Sequence, residues 1–78
     1  MDKVVITDPV GATALVGGAA AVLVAGPDAA AVGAAVVALR AGGAEAAGWV
    51  GDPSDPAVEE MAAELFPGRE VVPAAADD

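Results

Sequence analysis

The fold of this chain turns on the stretch Ala20-Ala21-Val22-Leu23-Val24-Ala25. It is a continuous apolar run bounded downstream by Gly26-Pro27-Asp28, a turn signal. Runs of this kind mark strands buried on both faces of a parallel sheet. Upstream of it, Lys3-Val4-Val5-Ile6-Thr7 is short and β-branched and reads as a first strand, stopped by Asp8-Pro9. Val10 to Val16 reads as one or two helical turns, ended by Gly17-Gly18. After the apolar run, Asp28 caps a helix to Ala41. Val32, Val36 and Leu39 form its apolar stripe, Arg40 sits in its last turn, and Gly42-Gly43 stops it.

Glu45 to Val50 reads as a third strand, weakened by Gly48. Ala57 to Phe66 is a helix by pattern, with Val58, Met61 and Leu65 as its inward face, and Pro67-Gly68 terminates it. Arg69 to Val72 completes a β-α-β-α-β-α-β order. Alternation with short connections implies an α/β domain with a parallel sheet, a small Rossmann-like or flavodoxin-like unit. The expected organisation is a single domain over residues 1–73 and a flexible acidic tail over 74–78.

Composition bounds what such a domain does. Its net charge is −9, with only Lys3, Arg40 and Arg69 positive. Phosphate backbones require clustered Lys and Arg, so nucleic acid is not an expected partner. Anionic membrane surfaces are disfavoured for the same reason. Cysteine and histidine are absent, which removes disulfides, thiol chemistry, His-based triads and His or Cys metal sites. Pro9 to Gly26 is uncharged over 18 residues, near the lower limit for a span, but it is rich in glycine and alanine and has no basic flank. The expectation is a soluble, cytoplasmic chain.

Alanine supplies 22 residues and valine 13, against one Trp and one Phe, so there is little large apolar area to bury. Low stability as a monomer follows, with help from a homo-oligomer or a protein partner. Only seven residues fall outside the set Ala, Asp, Glu, Gly, Ile, Leu, Pro, Ser, Thr and Val. A high-GC genome, a salt-adapted proteome and a deliberately simplified or de novo sequence each account for so narrow an alphabet.

Each of the first three strands ends in an acid–proline device: Thr7-Asp8-Pro9, Gly26-Pro27-Asp28 and Gly51-Asp52-Pro53. In a parallel sheet these ends share one edge, where ligands of open α/β folds bind. Asp8, Asp28 and Asp52 are the candidate Mg²⁺ ligands, since hard cations take oxygen donors. Asp and Ser are also preferred helix caps, and Pro suits the first helical position. Asp8, Asp28 and Asp55 read first as caps. Asp52 is the aspartate that capping explains least. Trp49 reads as a core or interface residue. Thr13 and Ser54 have no base beside them, Arg40 and Arg69 read as members of surface pairs, and no residue stands out as catalytic.

The segment from Asp28 to Val72 resembles the middle of short-chain dehydrogenases/reductases. The residues that carry the resemblance are LRAGGAEAAGWVGDPSD and PGREVV, set against the family's LRAGGAE helix end, its GD-x-[ST]-D strand end and its G-R-x-[DE]-V strand. The resemblance implies an adenine contact at Asp52, with Gly26 and Asp28 beside the cofactor. The family's glycine-rich turn is expected after AAVLVA, where this chain has AGPDAAAVG, with Ala30 and Val32 in place of motif glycines. The catalytic Tyr-x-x-x-Lys has no counterpart, because the chain contains no Tyr. VLVAGPD also looks like the start of a response-regulator receiver domain, but no late lysine follows. The reading is therefore a non-catalytic scaffold or interaction domain that requires no cofactor. The alternatives are a weak adenine-nucleotide or Mg-phosphate module and an acidic adaptor for a basic protein.

Overall fold

The computed structural model describes residues 3–14 and 21–72. β1 (Lys3–Thr7), α1 (Pro9–Ala14), β2 (Ala21–Gly26), α2 (Ala29–Ala41), β3 (Glu45–Val50), α3 (Pro56–Leu65) and β4 (Glu70–Val72) follow one another in the alternation expected. Ala20, the Gly17-Gly18 stop and the acidic tail lie outside the described residues. The uncharged stretch from Pro9 to Gly26 contains a helix of 6 residues and, further on, a strand of 6. Among the described residues no helix is long and apolar enough to cross a membrane.

The four strands form one parallel sheet in the order β3-β2-β1-β4. β2 is interior, and every residue from Ala21 to Gly26 is buried. That burial is the physical content of the unbroken apolar run. Val22 and Val24 face one side, with α1 and α2; Ala21, Leu23 and Ala25 face the other, with α3. β1 alternates, sending Val4 and Ile6 into the α3 side and leaving Val5 and Thr7 half-buried. Helices on both faces make three layers, the arrangement that buries a parallel sheet completely.

α2 buries Val32, Ala35, Val36 and Leu39, the stripe its spacing predicts. It sits low over β3 because Gly48 has no side chain. A Cβ there would lie 2.6 Å from Val32 Cγ1 and 3.2 Å from Val36 Cγ2. The glycine that weakens β3 in isolation is the one that lets helix and strand meet.

α3 departs from its expected face. Val58, Ala62 and Phe66 are buried, Met61 is half-buried, and Leu65 is 47% exposed. α3 packs over β1 and β4, on one side of the sheet's midline. Leu65 points instead toward β3, where it borders an open groove of about 340 Å³ with Phe66, Ala47 and Arg40. Helical spacing alone does not say how far the sheet extends beneath the helix.

Candidate functional site

The C-terminal ends of β1, β2 and β3 lie side by side. Thr7 pairs with Val24, and Gly26 pairs with Val50. The three acid–proline turns therefore share one edge. Their carboxylates do not converge on it. Among the described residues no group of three or more acidic side chains is placed to hold a metal ion. Asp8, Asp28 and Asp52 each turn back on their own segment instead.

Asp8 Oδ1 accepts from the Gly11 N–H at 2.6 Å, and its carbonyl accepts from the Ala12 N–H at 2.9 Å. It caps α1. Gly11 is required by this closeness, since a Cβ there would collide with Thr7 Oγ1 and crowd Asp8 Oδ1. Asp28 caps α2 in extended backbone, its carboxylate accepting from the Ala30 N–H at 3.0 Å. Asp55 caps α3 in the same manner, accepting from the Ala57 N–H at 2.9 Å with Pro56 as first helical residue. Each satisfies one of the orphan N–H groups of a helix start.

Asp52 has a local task that sequence spacing did not reveal. Its Oδ1 accepts from the Ser54 N–H at 2.9 Å and from the Ser54 hydroxyl at 2.7 Å. Its carbonyl accepts from the Asp55 N–H at 3.0 Å. This is an Asx turn, in which the side chain replaces a backbone turn partner. The Ser54 N–H, and after it the hydroxyl, hold the Asp52 carboxyl below its usual value, because both bonds favour the charged form. The signal was in the sequence as Asp-Pro-Ser, an Asp two residues before a donor.

In a sheet ordered β3-β2-β1-β4 the topological switch point lies between β1 and β4, the kind of crevice where open α/β sheets bind ligands. The turn at that point is Thr7-Asp8-Pro9-Val10-Gly11. It carries a carboxylate that already holds the Gly11 N–H. A phosphate in that position meets like charge and loses a donor. Gly26 faces Pro9 across the gap, its missing Cβ leaving Pro9 Cδ room at 3.0 Å. It serves packing between two turns.

Of the two arginines read as surface-pair members, Arg40 departs from that reading and Arg69 follows it. Arg40 donates from Nε at 3.1 Å and from Nη2 at 2.9 Å to the Ala46 carbonyl, on the outer edge of β3. Arg69 pairs with Glu45, as a surface pair, and lies 5.6 Å from the Phe66 ring centroid. Trp49 is half-buried against the α3-side cluster, and its ring covers Gly51. The open groove lies at the N-terminal end of β3, opposite the aspartate edge.

No family model matches this chain, and neither the curated proteins nor the solved structures contain a match to it.

Proposed function

We propose that the chain is a non-catalytic, Rossmann-like scaffold that acts by association, with itself or with a protein partner. One observation carries this reading. Large apolar side chains stand in solvent, Val10 80%, Val37 66%, Val50 56% and Leu65 47% exposed. Meanwhile one carboxylate oxygen of each of Asp8, Asp28, Asp52 and Asp55, at the sheet's C-terminal edge, is committed to a turn or cap. A chain poor in large core residues gains most from covering such side chains, at about 25 cal/mol per Å².

The test is a thermal melt followed by Trp49 fluorescence, at several protein concentrations and with millimolar NAD, ATP or Mg²⁺. Association makes the melting temperature rise with protein concentration, by mass action. A ligand at about 100 times its Kd adds about 2.7 kcal/mol. Indifference to all three ligands together with concentration dependence is the expected result. A melting temperature independent of concentration overturns self-association and leaves only a protein partner.

A second reading, a weak adenine-nucleotide or Mg-phosphate module, draws on the shared edge of Asp8, Asp28 and Asp52 and on the β3-β2-β1-β4 order. Stabilisation by one nucleotide, abolished in Asp52→Ala, selects that reading. An acidic adaptor would use Glu59, Glu60 and Glu64, all exposed along α3. Salt-sensitive binding to a basic protein selects that one.

A further inference from the structure

We propose that two copies of this chain join edge to edge through β3, antiparallel, with Trp49 opposite Trp49 of the second copy. The proposal rests on the association reading above and names its surface.

The ladder sets which backbone groups are free. The Gly51 N–H reaches inward to the Gly26 carbonyl at 2.8 Å. In a parallel strand alternate residues turn both backbone groups to the same neighbour. Trp49 and Ala47 therefore face β2, and Ala46, Gly48 and Val50 face outward. The Arg40 bonds to the Ala46 carbonyl agree with this phase. That leaves Gly48 and Val50 with outward N–H and C=O groups that no described residue meets. The strand EAAGWV has no proline or lysine, the usual guards of an edge.

Only one two-fold register pairs the two free residues with each other, and it leaves Arg40 in place. With Trp49 on the axis, Gly48 lies opposite Val50 of the second copy, and the reverse, so each pair exchanges two hydrogen bonds. Trp49 then falls in a non-bonded pair, with Cα atoms about 4.5 Å apart and the side chains on one face. The same register sets Ala46 opposite Asp52 of the second copy. Arg40, anchored on the Ala46 carbonyl, meets that carboxylate. Both Ser54 bonds end on Asp52 Oδ1, so Oδ2 is available. This is charge complementarity, made twice by the symmetry.

The helix layer agrees. α2 packs over β2 and β3. Its image therefore stands about two strand spacings away, roughly 10 Å at about 4.8 Å each. Packed helices lie about 8–10 Å apart. Val32 and Val36 mark the level of Gly48 along α2, beside the two-fold. On that flank α2 offers Gly33, with open space around it, and Val37, 66% exposed. Two small-residue flanks facing each other account for Val37 in solvent. Two sheets of four strands become one of eight.

Sedimentation equilibrium of the full chain at physiological salt tests this. The −9 charge on each copy is screened there over about 8 Å. Val37→Glu puts like charges near the axis without touching the core. Val50→Pro removes an outward N–H that the monomer does not use. The wild type is expected to dimerise, and each variant to weaken the dimer by about tenfold or more with its far-ultraviolet circular dichroism retained. A dimer that both folded variants leave intact overturns this surface while association itself stands. A wild type that is monomeric at every concentration overturns both this surface and self-association.

Discussion

Gly48→Ala is the substitution that tests the packing of α2 on β3 most directly. The added Cβ would lie 2.6 Å from Val32 Cγ1 and 3.2 Å from Val36 Cγ2, where ordinary contacts begin at 3.4 Å. Neither valine has room to withdraw, since they are only 4% and 8% exposed. Overpacking of this kind costs about 1–3 kcal/mol. Replacing glycine within a strand returns roughly 0.5–1 kcal/mol through the unfolded chain. The net loss is then about 0–2.5 kcal/mol, centred near 1 kcal/mol, a drop of several degrees for a domain of this size. Val32→Ala alone leaves a cavity and costs about 1–3 kcal/mol. In the double variant the methyl group introduced by Gly48→Ala takes the space that Val32→Ala vacates. The two costs should therefore fall short of their sum by about 1 kcal/mol. Urea unfolding followed by Trp49 fluorescence, with unchanged m-values, measures the cycle. A stable Gly48→Ala, or additive costs, refutes the claim that this glycine exists to admit the helix.

The other predictions concern the core and the turns. Leu23→Ala opens a cavity in the fully buried strand and should cost about 2–5 kcal/mol, enough to leave so small a domain largely unfolded by circular dichroism. Asp55→Ala removes the cap of α3 and should cost about 1 kcal/mol in urea unfolding, with Asp55→Asn retaining most of it. Asp52 contributes stability that is fully present above its unfolded value of about 3.8 and is lost as pH falls through its lower folded value. Ser54→Ala should flatten that acid limb in a pH series of melts. An unchanged limb would show that the Ser54 hydroxyl does not help to hold the carboxyl down, since the Ser54 N–H bond survives this substitution.

The candidate site was legible as positions and not as chemistry. Asp8, Asp28 and Asp52 do reach one edge, because strand ends in a parallel sheet must. Their carboxylates do not meet there, because each finds a donor within three residues of its own position. Short-range geometry of this kind is written in the sequence, as Asp-Pro-Ser and Asp-Pro-Ala show. Convergence between turns is not, since it depends on where each side chain is already held. Leu65 makes the same point for the fold. Its helical phase predicts burial, but α3 crosses the sheet where β3 is not beneath it.

Local rules acting along the chain were enough for the alternation of elements, the burial of AVLVA at the centre and the caps at Asp28 and Asp55. Those rules are apolar continuity, acid and proline at helix starts, and glycine at stops. Composition was enough to say what chemistry is missing, since no spacing supplies a thiol or an imidazole that the chain does not contain. The strand order, the edge position of β3, the Arg40 cap on its outer carbonyl and the approach of α2 over Gly48 emerged only once the chain was folded. They depend on which strands become neighbours, a choice made by the whole set of buried faces at once and not by any one segment.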